Sequence, residues 1–101
     1  MTDLGLKDED LRAIVNVFKN NPSIFRAVIF GSRAKGNYSR YSDVDIALYG
    51  NLSVLEVESI ICDLDELPLI YKFDVVAFES VKNPMLREHI GRVGVVIYER
   101  T

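Results

Sequence analysis

The stretch that most constrains this chain is Asp43-Val44-Asp45-Ile46-Ala47-Leu48-Tyr49, an apolar run into which two carboxylates are set one residue apart. The run predicts a strand over residues 43–49, with Asp43, Asp45, Ala47 and Tyr49 on one face and Val44, Ile46 and Leu48 on the other. On such a strand the Cα atoms of Asp43 and Asp45 stand roughly 7 Å apart and their side chains point the same way. Neighbouring carboxylates repel one another and lose hydration, so a fold tolerates them mainly where a cation compensates. Magnesium suits the pair, because it is a hard ion that binds through a few carboxylates together with substrate phosphates.

Separated from Asp43 by ten residues, the apolar run of residues 25–30 ends in Gly31-Ser32. That run reads as a buried strand that delivers the chain to a turn and a short helix over residues 32–35, stopped by Gly36. Gly31 has no Cβ to keep a ligand from the backbone, and the helix opening at Ser32 offers free N–H groups to phosphate. Arg33 follows at the helix start and is read as a phosphate or helix-packing contact, with Lys35 as a phosphate ligand or a solvated cation. Farther on, Asp74 interrupts the strand-like run Phe73-Asp74-Val75-Val76-Ala77-Phe78. Three acids facing a phosphate-binding turn describe a two-metal site for phosphoryl or nucleotidyl transfer.

The combination resembles the nucleotidyltransferase superfamily that includes DNA polymerase β, whose signature is an apolar residue, Gly-Ser or Gly-Gly, a spacer and Asp-x-Asp. More closely, Gly31-Ser32-Arg33-Ala34-Lys35-Gly36 followed by Ser42-Asp43-Val44-Asp45-Ile46-Ala47 is similar to the minimal nucleotidyltransferases, which are often partners of small helical proteins called HEPN. The resemblance implies an α/β (α+β) fold, a small mixed sheet with helices packed on it. It also implies a Mg²⁺-dependent transfer of a nucleoside monophosphate, AMP from ATP, onto an acceptor hydroxyl. Asp43 and Asp45 would hold two metal ions, and Asp74 one of them, with Asp74 helping to deprotonate the acceptor. In toxin–antitoxin pairs of this type the transferase is the antitoxin and adenylylates a tyrosine of its HEPN partner. Two rivals stand beside this reading: a small-molecule transferase of the aminoglycoside-modifying sort working as a homodimer, and a non-catalytic nucleotide-binding subunit that neutralises its partner by occlusion.

The 101 residues suffice for one domain, 1–101, and leave nothing for a second lobe to bind the acceptor, so a partner or self-assembly into a dimer must complete the cleft. A net charge of −3 argues against sequence-independent binding to long nucleic acid. The single cysteine, Cys62, excludes an intrachain disulfide. Met1-Thr2-Asp3-Leu4 has no basic start or apolar core, which predicts no secretory signal. No apolar run approaches the roughly 20 residues of a membrane helix, and a cytoplasmic protein is expected.

Around the central motif, Leu11, Ile14, Val15 and Phe18 predict a helix over residues 8–19, with Asp8, Glu9 and Asp10 suited to the positive end of its dipole. Ser53 caps a second helix running to about residue 66, with Val54, Val57, Ile61 and Leu64 as its apolar stripe. A strand over 70–78, a helix over 84–93 capped by Gly94, and a strand over 95–98 complete the order. Asp63-Leu64-Asp65 repeats the D-x-D pattern, but on a helix its carboxylates diverge by about 200°, so it reads as a solvated helix end. His89 and Cys62 read as ordinary helix residues, and Tyr38 and Tyr41 as loop tyrosines suited to stacking on a base or touching a partner.

Overall fold

Four strands, β1 (Ile24–Phe30), β2 (Val44–Gly50), β3 (Phe73–Ala77) and β4 (Val95–Glu99), form a single sheet in the order β3-β2-β1-β4. The structure is a computed structural model that describes residues 3–100; Met1 and Thr2, where the reading of the leader begins, lie outside the described residues. Strand β1 pairs antiparallel with β2 and β4, whereas β2 and β3 run parallel, giving the mixed sheet expected. The parallel pair requires a crossover, supplied by helix α3 (Val54–Asp65).

Helix α1 (Asp8–Lys19) packs Ile14, Val17 and Phe18 with α3 against one face of the sheet. That face presents Ala27 and Ile29 from β1 and Val44, Ile46 and Leu48 from β2. The alternate residues Val28, Phe30 and Ala47 meet Ile90 of helix α4 (Pro84–Val93) on the other face. The period-2 alternation of β2 is therefore the division between the two cores.

The main differences from the sequence reading lie in the limits of β2 and β3 and in the buried face of α3. Strand β2 begins at Val44, whose N–H donates to the Lys72 carbonyl at 2.8 Å, so Asp43 stands just ahead of the ladder. Strand β3 is shorter than the expected 70–78: Val44 pairs with Phe73, so Ile70, Tyr71 and Lys72 form a lead-in, and Phe78–Ser80 winds into a 3-10 turn. In α3 the buried stripe is Ile60 and Leu64, with Val57 and Ile61 half-buried, while Val54 in the first turn is 74% exposed. The helix still starts where Ser53 predicts, through a reciprocal capping box with Glu56. Among the described residues, no helix is long and apolar enough to cross a membrane.

Candidate active site

Strand pairing assembles one row across three strands: Phe30 of β1 is the register partner of Asp45, and Asp45 is the register partner of Asp74. The two acids therefore lie side by side on the face that carries Ala47, Val76 and α4. Asp43 and Asp74 are exposed and Asp45 is half-buried. Burial pushes the Asp45 carboxyl above its ordinary value, the charges of Asp74 and Asp43 push it further, and His89 pulls it back. Asp45 thus feels the charges of both other acids, and no lysine or arginine stands among the groups that offset them.

Phe30 leads directly into α2 (Gly31–Lys35), whose first residue has φ 73°. A Cβ on Gly31 would overlap Oδ2 of Asp45 and stand 3.0 Å from its Cγ. Glycine at this position therefore admits a carboxylate of the protein itself, a close approach that the sequence reading assigned to phosphate. Ser32 is half-buried beside it, and Lys35 is exposed at the far end of the helix, which Gly36 closes in the left-handed conformation with φ 88°.

Of the two readings of Arg33, phosphate ligand or packing contact, the geometry is that of the packing contact. It is fully buried, and its Nη1 donates to the carbonyls of Leu4 at 2.9 Å and Gly5 at 3.2 Å. Its Nη2 donates to the Ser42 carbonyl at 2.9 Å. The rings of Tyr38 and Tyr71 lie 5.3 and 5.2 Å from the guanidinium carbon. Carbonyl dipoles and two aromatic faces compensate the charge, so its donors are committed to holding the backbone and are turned away from phosphate. Tyr38 is correspondingly a packing residue, whereas Tyr41 is 81% exposed, with Arg40 5.3 Å from its ring centroid.

His89, read from the sequence as an ordinary helix residue, is half-buried on α4. Its ring meets Phe30 edge-on at 6.1 Å between centroids, and it stands near enough to Asp45 to favour the ionised carboxylate. Its spacing from Leu86 and Val93, which pack on the second core, places it on the sheet side of α4. Asp63 and Asp65 are exposed on α3, the helix packed against the opposite face of the sheet from the acids.

Among the described residues, no three histidine, cysteine, aspartate or glutamate side chains stand ready as a metal cage. The donor set of Asp43, Asp45 and Asp74 nevertheless fits a hard divalent ion that arrives with phosphate ligands, since all three offer carboxylate oxygens, and burial together with the charges of Asp74 and Asp43 raises Asp45.

With this geometry in hand, residues 12–101 match the family described as polymerase beta, nucleotidyltransferase. The chain belongs to that nucleotidyltransferase family. It is 28% identical over 99 residues to a probable protein adenylyltransferase, MntA, of Haemophilus influenzae, covering 96% of this chain and 86% of the relative. A toxin–antitoxin complex with AMP-PNP superimposes with a TM-score of 0.74 at 22% identity, over 90% of this chain and 74% of that one. The complex of a tri-AMPylated Shewanella oneidensis HEPN toxin with its MNT antitoxin gives 0.70 at 18% identity, over 93% and 73%. These likenesses agree with the nucleotidyltransferase fold.

Proposed function

We propose that this nucleotidyltransferase moves AMP from ATP onto a hydroxyl of a small helical HEPN-type partner, a tyrosine, and acts in the cytoplasm as the antitoxin of that pair. The observation that carries the reading is the row Phe30–Asp45–Asp74, with Gly31 set against the Asp45 carboxylate and Asp43 at its edge. The likeness to MntA and to complexes containing AMP-PNP or an AMPylated HEPN toxin supports the nucleotide and the partner.

In the reaction the acceptor oxygen bonds to the α-phosphorus as the bond from that phosphorus to the bridging oxygen breaks, and pyrophosphate leaves. Asp74, exposed at the rim, takes the acceptor proton, and Gly31-Ser32 provides the turn against which the leaving phosphates rest. Two Mg²⁺ ions held by Asp43, Asp45 and Asp74 would supply charge neutralisation and a lowered hydroxyl pKa. Asp43 and Asp74 face solvent, so the acceptor side is wet, and water weakens each electrostatic contact. A partner that covers the rim removes that water, and turnover by the isolated chain is expected to be slow.

Incubating the full chain with a candidate HEPN protein, Mg²⁺ and ATP, and weighing the partner by intact mass spectrometry, tests the proposal. The expected product is a partner heavier by one or more AMP units, absent with Asp43→Asn. Rapid modification of a small hydroxyl compound with no change in any partner would replace this reading with the small-molecule transferase.

A further inference from the structure

Because β2 and β3 are parallel, the segments leading into them lie side by side at the same end of the sheet. Arg40, Tyr41 and Asp43 on one segment and Ile70, Tyr71 and Lys72 on the other enclose an open recess of about 350 Å³ that adjoins the acid row. Ile70 at 83% and Tyr41 at 81% are the two most exposed large hydrophobic residues among those described, and both stand on its rim. The walls are pinned from beneath. Arg33 holds the Ser42 carbonyl, and the Tyr71 hydroxyl donates to Asp10 at 2.9 Å while its ring backs the same guanidinium.

We infer that this recess receives the base and ribose of the nucleotide, an inference that rests on the nucleotidyltransferase reading above. With the leaving phosphates at Gly31-Ser32 and the acceptor in line beside Asp74, the ribose branches off the α-phosphate to the side of that line, and the recess beside Asp43 opens at the lead-in end of β2 and β3. The volume lies near the lower end of the range for small-molecule sites, roughly 300–1,000 Å³, which suits a nucleoside and is too small for a packed helix. The exposed Tyr41 ring offers a stacking face, a sequence-tolerant contact for any base. Arg40 lies against the Tyr41 ring, Ile70 provides the facing apolar wall, and Arg40 and Lys72 make the entrance electropositive towards a polyphosphate.

Protein-observed NMR of the full chain with Mg²⁺, titrated separately with ATP and with inorganic tripolyphosphate, tests the assignment. Both ligands should shift the amides of Gly31, Ser32 and Asp45, while ATP alone shifts the Tyr41 ring and the Ile70 methyl groups. Tyr41→Ala and Ile70→Ser should each weaken ATP at least about fivefold and leave tripolyphosphate unchanged, with Tyr41→Phe recovering the loss seen in Tyr41→Ala. Unaltered ATP affinity in both variants overturns the assignment. If such variants also lose transfer to a partner protein, the recess belongs to the acceptor instead. Failure of the underlying reading looks different: neither ligand would shift Asp45, and Asp43→Asn would leave both titrations unchanged.

Discussion

The α-carbon of Gly31 and the carboxylate of Asp45 approach so closely that the smallest side chain on Gly31 would occupy the position of Oδ2. Gly31→Ala is therefore expected to fail twice. Left-handed backbone costs a side-chain-bearing residue roughly 1–2 kcal/mol, and the new methyl group also displaces Asp45 from the row. Gly36 provides the control, because its φ is also positive but nothing lies within 4 Å of its Cβ position. Gly36→Ala should show a similar loss of stability by urea denaturation with transfer retained, whereas Gly31→Ala should lose transfer as well. Equal activity in the two variants would mean that the contact with Asp45 is idle.

The raised Asp45 carboxyl links stability to pH. Its folded value lies above the ordinary 3.8, so the ionised form is disfavoured by folding. Stability from this group is fully present below the unfolded value and is lost as pH rises through the folded one. Without divalent cation, Asp45→Asn should melt higher than the wild type at neutral pH, with the gap closing in acid. The group is half-exposed and screened, so about 0.5 kcal/mol is a reasonable scale, which corresponds to roughly 2–4 °C in a domain of this size. Mg²⁺ with ATP should raise the melting temperature of the wild type and not of the variant. A variant that melts lower at neutral pH would contradict this account of Asp45.

Arg33→Ala should be among the most damaging single changes. It strands the carbonyls of Leu4, Gly5 and Ser42, and on the order of 3 kcal/mol is expected from urea denaturation. Arg33→Lys should not restore stability, because a single ammonium cannot reproduce the planar fork. If Arg33→Ala instead kept full stability and lost only nucleotide binding, the side chain would have to leave its buried position in solution.

The two D-x-D segments should behave oppositely. The double variant Asp63→Asn, Asp65→Asn changes exposed positions on α3 and should leave transfer within about twofold, as expected of surface substitutions. Asp43→Asn should abolish transfer in a protein whose circular dichroism is unchanged. Lost activity in a folded Asp63/Asp65 variant would relocate the site.

Much of the architecture was readable in local patterns. Alternation placed Val44, Ile46 and Leu48 in one core and put Asp45 on the face of Ala47, and Ser53 marked the start of α3. What escaped depended on distant partners. Ile70-Tyr71-Lys72 has strand-like composition, but the parallel partner starts at Val44, and no local signal says so. The position of Arg33 after Gly31-Ser32 suits a phosphate or a packing contact, and the sequence does not choose between them, because its acceptors at Leu4 and Gly5 lie 29 and 28 residues away. The phase of α3 was misjudged at Val54 because a helix rich in apolar residues admits more than one stripe, and only packing on the sheet selects Ile60 and Leu64.

The match to the nucleotidyltransferase family starts at residue 12, yet the guanidinium that grips Ser42, next to Asp43, is itself moored at residues 4 and 5. A version of this domain trimmed to the family's own boundary would keep Asp43, Asp45, Asp74 and the whole sheet, and would still cut the mooring line of the loop that carries Asp43. Where a tag is fused or a truncation is made ahead of Leu6 thus becomes a variable of catalysis, and activities measured on differently trimmed forms of the chain are not comparable.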